Sequence, residues 1–389
     1  MIDPKLSDWG LYIHIPFCQA RCTYCDFNTV TGMDEGDYRR YVEALLLQWE
    51  RITEVPNGQL ISIFFGGGTP SLLQPDLLAR LLQAIRGKLQ IPLQHVEITM
   101  EANPGTVDAK RLRQYRQAGV NRLSLGVQAW QNHHLARLNR IHSAADAEES
   151  FQKAREAGFD NINLDLIYGL PKQTLADWQE SIEAVLTLRA DHLSLYQLQI
   201  EEGTPLATQL KKGLLTLPPS DLSADMADWG RAKLVERGYV PYEISNYSLP
   251  GKHSRHNRLY WTMNPYLALG AGAHAYWYGK RWWNIRGIRR YMEDLEAGGH
   301  GIAGMETLSR HEEMQEYIWL GLREEKGFSR VRFCEKFGIN PESVVGPIFR
   351  RLHQQGLIER RGNHVRLSAR GRDMANYVFR EFVGFLQEA

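Results

Sequence analysis

Leu11-Tyr-Ile-His-Ile-Pro-Phe17 is the first apolar, β-branched run of the chain, and Cys18-Gln-Ala-Arg-Cys22-Thr-Tyr-Cys25 follows it without a break. Such a run is typical of a buried strand. Three of the four cysteines of the 389-residue chain fall within these last eight positions. Because an odd trio cannot close into internal disulfides, the C-x3-C-x2-C pattern indicates a metal site.

Five more strand-like runs alternate with segments of helical period up to about residue 200. The runs cover residues 60–65, 96–100, 122–126, 161–168 and 192–198, and the helical segments between them cover 38–52, 77–85, 108–118, 144–157 and 175–188. Six strand-then-helix units predict parallel strands joined by right-handed crossovers. We therefore expect an α/β fold, a partial TIM-like barrel of six β/α units.

The pattern changes beyond residue 200, where Gly203-Thr-Pro205 and Leu217-Pro-Pro-Ser220 interrupt it. We expect three regions: the barrel over residues 1–215, a linking segment rich in aromatics, glycine and histidine over 216–304, and a small, mainly helical, winged-helix-like domain over 305–389. A helix is predicted over 222–237. In the last region we predict a hairpin at 357–367 and a final helix at 370–387.

The overall charge gives no argument for a phosphate-coating role, since the chain has 46 Lys and Arg residues and 45 Asp and Glu residues, for a net charge of +1. A local excess lies between residues 329 and 373, with ten basic and four acidic residues. We interpret it as a solvated face, or one that meets acidic lipid headgroups or a partner protein, and expect no nucleic acid. Without a signal peptide or an apolar run of 18 residues, we expect a cytoplasmic protein, with the inner face of the membrane as a peripheral location.

The cysteine trio favours an iron–sulfur cluster over zinc. Zinc sites usually use four protein ligands arranged in C-x2-C pairs, whereas three thiolates without a partner pair suit a cubane cluster with one iron left open. Zinc-bound or purely structural cysteines are the alternative. The fourth cysteine, Cys334, lies between Phe333 and Phe337 and is interpreted as a small buried apolar residue.

The stretch from Leu11 to Cys25 resembles the start of radical S-adenosylmethionine enzymes, in the group of oxygen-independent coproporphyrinogen dehydrogenases and their relatives. The resemblance implies that Cys18, Cys22 and Cys25 hold a 4Fe–4S cluster and that S-adenosylmethionine chelates the fourth iron. In that family one electron from the cluster cleaves the sulfonium to give a 5′-deoxyadenosyl radical, so an electron donor is an implied partner. The same resemblance places Tyr24 near the adenine.

The resemblance continues at the carboxyl ends of the predicted strands, where parallel barrels hold their ligands. Gly66-Gly67-Gly68-Thr69-Pro70 ends the second strand, and we expect Gly67, Gly68 and Thr69 to let the backbone approach the cofactor. Each acid or amide taken singly has a structural alternative, although a buried charge must be paired or ligand-bound. The other positions that the family implies for S-adenosylmethionine are Tyr12, Glu101, Gln128, Arg140 and Asp165.

Two branches of this family can be distinguished. In the dehydrogenase branch of this family the cysteine pattern is C-x3-C-x2-C-x-C, and a long N-terminal arm precedes it. Here Phe27 stands in the position of the fourth cysteine, and 17 residues precede Cys18. Residues 254–261, Ser-Arg-His-Asn-Arg-Leu-Tyr-Trp, match the H-N-x-x-Y-W motif of the heme chaperone branch. The match implies heme binding and delivery to acceptor hemoproteins such as membrane-bound respiratory cytochromes. Radical decarboxylation of coproporphyrinogen is the alternative, and whether the protein is an enzyme is left open.

The motif has the chemistry to hold heme. We expect His256 to ligate the iron, with Tyr260 and Trp261 as flat faces for the macrocycle. Arg255 and Arg258 could pair with propionates through charge-assisted bonds. His253 and His274 are alternative ligands. The sequence leaves open the oligomeric state and whether a second S-adenosylmethionine binds.

Overall fold

Six parallel strands, adjacent in chain order, form the centre of a twelve-stranded sheet. The computed structural model describes residues 7–383. Each of the six strands begins and ends within two residues of its predicted bounds, and the α/β fold class is confirmed. They are Trp9–Ile15 (β1), Leu60–Gly67 (β2), Glu97–Ala102 (β3), Arg122–Gln128 (β4), Ile162–Tyr168 (β5) and His192–Gln197 (β6).

Helices join these strands and begin at polar caps. Asp34, Ser143 and Thr174 each form a capping box, in which cap and third residue satisfy each other's backbone N–H groups. Two short 3₁₀ turns, Pro70–Leu72 and Leu93–His95, precede and follow the helix Pro75–Leu89 in the chain. The helices are Glu35–Arg51 (α1), Pro75–Leu89 (α2), Ala109–Ala118 (α3), Asn132–Arg137 (α4), Ala144–Glu156 (α5) and Leu175–Thr187 (α6).

The two faces of the sheet have different neighbours. Because side chains alternate along a strand, Leu11, Ile13 and Ile15 of β1 share one face, and all three are fully buried in the core formed with the helices. Tyr12 and His14 project from the opposite face, which we call the inner face of the partial barrel. Side chains that meet a ligand within the barrel must come from this inner face.

The segment expected as a link continues the same sheet. Tyr266–Leu269 (β9) pairs in parallel with β1, and it is followed in antiparallel order by His274–Trp277 (β10), Lys280–Asn284 (β11) and Ile302–Thr307 (β12). At the other edge, Asn246–Ser248 (β8) and Val240–Pro241 (β7) extend the sheet beyond β6. The elements from residue 205 on are Pro205–Lys211 (α7), Ser220–Glu236 (α8), Val240–Pro241 (β7), Asn246–Ser248 (β8), Arg255–Trp261 (α9), Tyr266–Leu269 (β9), His274–Trp277 (β10), Lys280–Asn284 (β11), Ile288–Glu296 (α10) and Ile302–Thr307 (β12).

Helix α9 packs on the inner face against β1 and β2. Gly10 makes this approach possible, since a Cβ there would lie 2.4 Å from Leu259 Cδ1 and 3.1 Å from His256 Nδ1. Gly10 pairs with Ser62 near the amino ends of the two strands. The helix therefore closes the amino end of the barrel, opposite the end where the cysteines follow β1.

The C-terminal region has a separate apolar core and a three-stranded sheet. The predicted hairpin forms, but the predicted helix over 370–387 breaks at Met374, whose φ of −107° and ψ of 25° leave the helical region. The break turns Val378 and Phe379 onto the core, and residues 384–389 lie outside the described part. The elements are Arg310–Gly321 (α11), Phe328–Ser329 (β13), Arg330–Phe337 (α12), Pro341–Gln354 (α13), Ile358–Arg361 (β14), His364–Leu367 (β15), Ala369–Asp373 (α14) and Ala375–Arg380 (α15).

A search of residues 7–383 for a bilayer-spanning helix finds none with the required length and apolar character.

Candidate cofactor site

The three cysteines lie in the loop that leaves the carboxyl end of β1, and all three are half-buried free thiols. The Cys18 backbone N–H donates to the Val30 carbonyl at 2.9 Å, which folds the loop back on itself. The Thr69 hydroxyl lies 3.6 Å from Cys18 Sγ. Arg140 Nη1 lies 3.4 Å from the sulfur of Cys22. Donors from other strand ends therefore already face two of the thiols.

The spacing of the sulfurs fits a cluster better than one zinc ion. Among residues 7–383, one group of three potential metal ligands has all its ligand atoms within 4.8 Å of one another, and it consists of His133, His134 and Asp177. The three cysteine sulfurs are therefore not all within 4.8 Å of one another. Thiolates on one zinc, each about 2.3 Å from the metal, would lie within about 4 Å of one another. A four-iron cluster takes one thiolate on each of several irons. It therefore suits three sulfurs that are spaced more widely than the thiolates of a single zinc ion.

Burial raises the pKa of Cys18, and it raises the pKa of Cys25 to about 11. A thiol with such a pKa is protonated at neutral pH. Metal ligation requires the deprotonated sulfur, so binding of a metal at these cysteines must release protons.

The glycine run after β2 serves packing as well as access. Gly67 has a φ of +116°, and a Cβ there would lie 2.4 Å from the His14 ring; a Cβ on Gly68 would lie 2.6 Å from the Phe17 carbonyl oxygen. We expected these glycines to admit a cofactor, and the structure adds that β1 itself requires them. The Gly67 N–H donates to Glu101 Oε2 at 3.0 Å and fixes that carboxyl at the strand ends.

Two carboxyl groups, Glu101 on β3 and Asp165 on β5, share the inner face. Burial and the neighbouring Asp165 raise the pKa of Glu101 to about 7, and burial also raises the pKa of Asp165. Asp165 accepts hydrogen bonds from Ser124 at 2.9 Å and Asn163 at 2.8 Å. Two buried acids this close destabilise each other's charge, so an amino group or ribose hydroxyls between them would be favourable.

Arg140 connects the strand ends to the cysteine loop. Its Nη2 donates to Asn103 Oδ1 and to the Gly126 carbonyl, both at 2.6 Å, while its Nε is buried without a partner in the described residues. Gln128 adopts a left-handed φ of +67°. A Cβ on Gly126 would lie 2.8 Å from the Gln128 amide nitrogen and 3.1 Å from Arg140 Nη2, so both side chains lie close to Gly126.

Tyr24 packs against the apolar cluster around Leu135 and Leu206, and burial raises the pKa of its hydroxyl. On the inner face, the Tyr12 hydroxyl lies 3.0 Å from His14 Nδ1, and the Tyr12 ring stacks on Phe64. The structure thus brings Cys18 beside Thr69 and Cys22 beside Arg140, and it ties Glu101 to the glycine run through Gly67.

His14 and Asn28 were missed by the sequence interpretation. His14 Nε2 lies 2.8 Å from the Asn28 carbonyl oxygen, and the Asn28 amide donates to the carbonyls of Ala271 and Arg286, both at 2.9 Å. This path joins the cysteine loop to the loop before β10. The alternation in β1 places His14 on the same face as Tyr12 and could have identified it, but no local pattern identifies Asn28.

His256 differs from the expectation of a free iron ligand. Its side chain is buried, Nδ1 lies 2.9 Å from the Ser62 hydroxyl, and Nε2 lies 2.9 Å from the Tyr260 hydroxyl. The ring also stacks on Phe64, with centroids 5.1 Å apart. Since both nitrogens are engaged, iron binding at His256 would break one of these bonds and move α9. The ring lies about 16 Å along β1 from the cysteine loop, at about 3.3 Å per residue from Gly10 to Ile15.

The other motif side chains are also engaged within the protein. The Arg255 guanidinium donates to the His95 carbonyl at 3.0 Å, and Arg258 donates to Glu324 at 3.0 Å. The Arg323 guanidinium lies over the Trp261 ring at 4.3 Å. These contacts dock α9 to the sheet and to the C-terminal region, and each occupies one nitrogen of its guanidinium.

A parallel sheet with three cysteines after its first strand and inward carboxyls on its third and fifth strands defines a radical S-adenosylmethionine protein. Residues 12–185 match the Radical SAM superfamily, and residues 308–374 match the HemN C-terminal domain. The solved structure of coproporphyrinogen III oxidase (HemN) from Escherichia coli shares the fold, with a TM-score of 0.84 over 98% of this chain and 91% of that chain at 22% identity.

Curated relatives narrow the class. The chain is 37% identical to the protein named heme chaperone HemW from Bacillus subtilis, over 96% of this chain and 99% of the relative. It is 41% identical to the protein of the same name from Synechocystis, over 82% of this chain and 78% of the relative. The chain belongs to the heme chaperone HemW family.

Proposed function

We propose that this protein is a heme chaperone that binds heme and delivers it to acceptor hemoproteins such as respiratory cytochromes. The observation that carries the proposal is the match of nearly the whole chain to relatives named heme chaperones. Phe27 supports the chaperone proposal, because this exposed phenylalanine occupies the position of the fourth cysteine in the C-x3-C-x2-C-x-C pattern of the dehydrogenases.

We also propose that Cys18, Cys22 and Cys25 hold a 4Fe–4S cluster. When bound, the cluster supplies single electrons and one open iron for the amino and carboxylate groups of S-adenosylmethionine. Thr69 and Arg140 donate toward two of the sulfurs, which disperses negative charge on the thiolates.

The strand-end residues would hold S-adenosylmethionine. Glu101 is aimed by the Gly67 N–H and is suited to ribose hydroxyls, while Asp165 stands beside it as a second acceptor. Gln128 and Arg140 add an amide and a guanidinium at the end of β4. Tyr12 on β1 and Tyr24 in the cysteine loop would provide apolar ring surface. The same proposal places the protein in the cytoplasm, with an electron donor for the cluster and a heme acceptor at the membrane.

A heme-transfer experiment tests this function. The full-length protein, with its cluster reconstituted, is loaded with heme, separated from free heme and mixed with membranes that carry heme-free cytochromes. We expect heme to move to the cytochromes, which gain their reduced absorption bands. Heme that stays with the protein, or that moves equally fast from serum albumin used as a carrier control, would contradict delivery.

Anaerobic incubation with coproporphyrinogen, S-adenosylmethionine and a reductant separates the enzyme alternative. A chaperone is expected to yield no vinyl product. Product formed over many turnovers would replace the chaperone proposal with radical decarboxylation.

A further inference from the structure

A cavity of about 530 Å³ lies on the inner face of the sheet extension, beside α9 and α11. Its volume falls in the range of about 300–1,000 Å³ that is common for small-molecule sites. Tyr266, Tyr276, Trp283 and Trp319 supply most of its ring surface, and His274 lies at its wall. None of these residues belongs to the cysteine site described above.

Strand pairing explains why the rings converge. Tyr276 on β10 lies opposite Tyr266 on β9, and His274 lies opposite Trp283 on β11, so these side chains share a face. The His274 and Trp283 rings stack with centroids 6.1 Å apart and an angle of 26° between planes. Trp319 comes from α11 on the other side. Flat aromatic walls of this kind favour a planar, largely apolar ligand.

His274 has the properties that His256 lacks. Its side chain is exposed, and within the described part of the chain neither of its ring nitrogens takes part in a hydrogen bond. Burial and the nearby Arg281 lower the pKa of its imidazole, so the ring is neutral at pH 7. A neutral imidazole is a suitable axial ligand for heme iron. Because an imidazole binds iron through a nitrogen in its own ring plane and His274 lies nearly parallel to Trp283, the macrocycle would stand across Trp283 and stack on other rings of the cavity.

The charges of the cavity orient the ligand. Arg281 pairs with Glu316, and its other terminal nitrogen lies 3.5 Å from Glu306. Two carboxylates therefore face one guanidinium inside the cavity, which repels further carboxylates. The propionates of a bound heme are expected at the solvent side, with the apolar edge of the macrocycle inserted between the rings.

The cavity is also connected to the cysteine loop. The loop that precedes His274 packs closely against β1 and the cysteine loop. A Cβ on Gly272 would lie 2.8 Å from Asn28 Nδ2, and a Cβ on Gly270 would lie 2.6 Å from the His14 carbonyl oxygen. The Asn28 bond to Ala271 lies three residues before His274. A ligand at His274 would therefore be joined to the cysteine loop by direct contacts.

We propose that this aromatic cavity is the heme site of the protein and that His274, rather than His256, ligates the iron. The inference rests on the proposed function, because that function supplies heme as the occupant. It assigns the H-N-x-x-Y-W segment a positioning role, since α9 places Tyr260 at the edge of the cavity.

The test is a titration of the full-length protein with hemin, followed by the Soret absorption band. His274→Gly should weaken binding about tenfold or more and shift the band, and added imidazole should restore the wild-type spectrum by occupying the vacated position. Leu320→Trp, which keeps His274 and fills the cavity, should also weaken binding. His133→Ala removes an exposed histidine outside the cavity and should bind as wild type does. Circular dichroism verifies that each variant is folded.

The outcomes separate the site from the function. If the wild type binds hemin and neither the His274→Gly nor the Leu320→Trp variant differs from it, the cavity assignment is wrong while heme binding stands. If only a His256 variant loses the spectrum, the ligand returns to α9. If the wild type fails to bind hemin at all, the proposed function fails together with this inference.

Discussion

Replacement of His256 by alanine tests whether this residue is a structural part of the barrel. The substitution leaves the hydroxyls of Ser62 and Tyr260 without their partner and opens a cavity beneath α9. An orphaned buried hydroxyl costs about 1–3 kcal/mol, and the lost ring contacts add to it. We expect the free energy of unfolding to fall by about 4 kcal/mol at pH 7.5.

The loss should depend on pH with a definite sign. Burial lowers the pKa of His256 in the folded protein to about 3, whereas an unfolded histidine titrates near pH 6.5. As the pH falls below about 6.5, the unfolded chain takes up a proton that the folded protein refuses, so wild-type stability decreases by about 1.4 kcal/mol per pH unit. At pH 5 the wild type has lost about 2 kcal/mol through this group, and the alanine variant has lost none.

The difference between the two proteins should therefore shrink from about 4 to about 2 kcal/mol between pH 7.5 and pH 5. Guanidinium unfolding curves followed by tryptophan fluorescence measure it at both pH values. His142 and His192 are also held neutral, but they are present in both proteins and cancel. His133→Ala, at an exposed position, should match the wild type throughout. A difference that stays constant with pH would refute an enclosed, neutral His256.

Three further perturbations address the cysteine site. Changing Cys18, Cys22 and Cys25 together to alanine should abolish the broad iron–sulfur absorbance at about 400 nm after reconstitution, and iron and sulfide retained by that variant would end the cluster assignment. Asn28→Ala removes two hydrogen bonds to loops 270–273 and 285–287 and should lower stability by about 2 kcal/mol, with faster amide exchange in the loop before β10; unchanged exchange would show that the contact is dispensable. Arg140→Lys keeps the charge but not the forked donors, so the reconstituted cluster should lose iron several-fold faster than in the wild type, and equal lifetimes would deny the guanidinium this role.

The central sheet was predictable because each signal is local. The strands from β1 to β6 are apolar runs of six to eight residues, and helices such as α5 and α6 begin at capping residues that stand directly before an amphipathic segment. Strand ends of a parallel sheet lie on one edge, so the sequence also located Glu101, Asp165 and the cysteines on a common side.

The sheet extension could not be recognised in this way. Strands β7 to β10 are two to four residues long, so they show no period that distinguishes them from loops. Their place is determined by partners far along the chain, as when β9 pairs with β1. The aromatic cavity exists only after these pairings form, and no spacing in the sequence could have located it.

The motif at α9 shows a different limit. The residue types of His256 and Tyr260 suit heme, but their availability depends on packing against Ser62, which is 194 positions before His256, and against Gly10, which is earlier still. The long-range approach of one helix to a glycine decides whether an imidazole is a ligand or a buried hydrogen-bonding group. Residue types alone cannot settle this point, whereas burial and hydrogen-bond partners can.

The most direct test of an open iron beside the strand ends is electron paramagnetic resonance of the reduced, reconstituted protein with and without S-adenosylmethionine. If the sulfonium's amino and carboxylate groups coordinate the iron that no cysteine holds, the spectrum of the reduced cluster must change on addition. An identical spectrum in both samples, or purified protein with zinc in place of iron at the three thiols, would contradict the account.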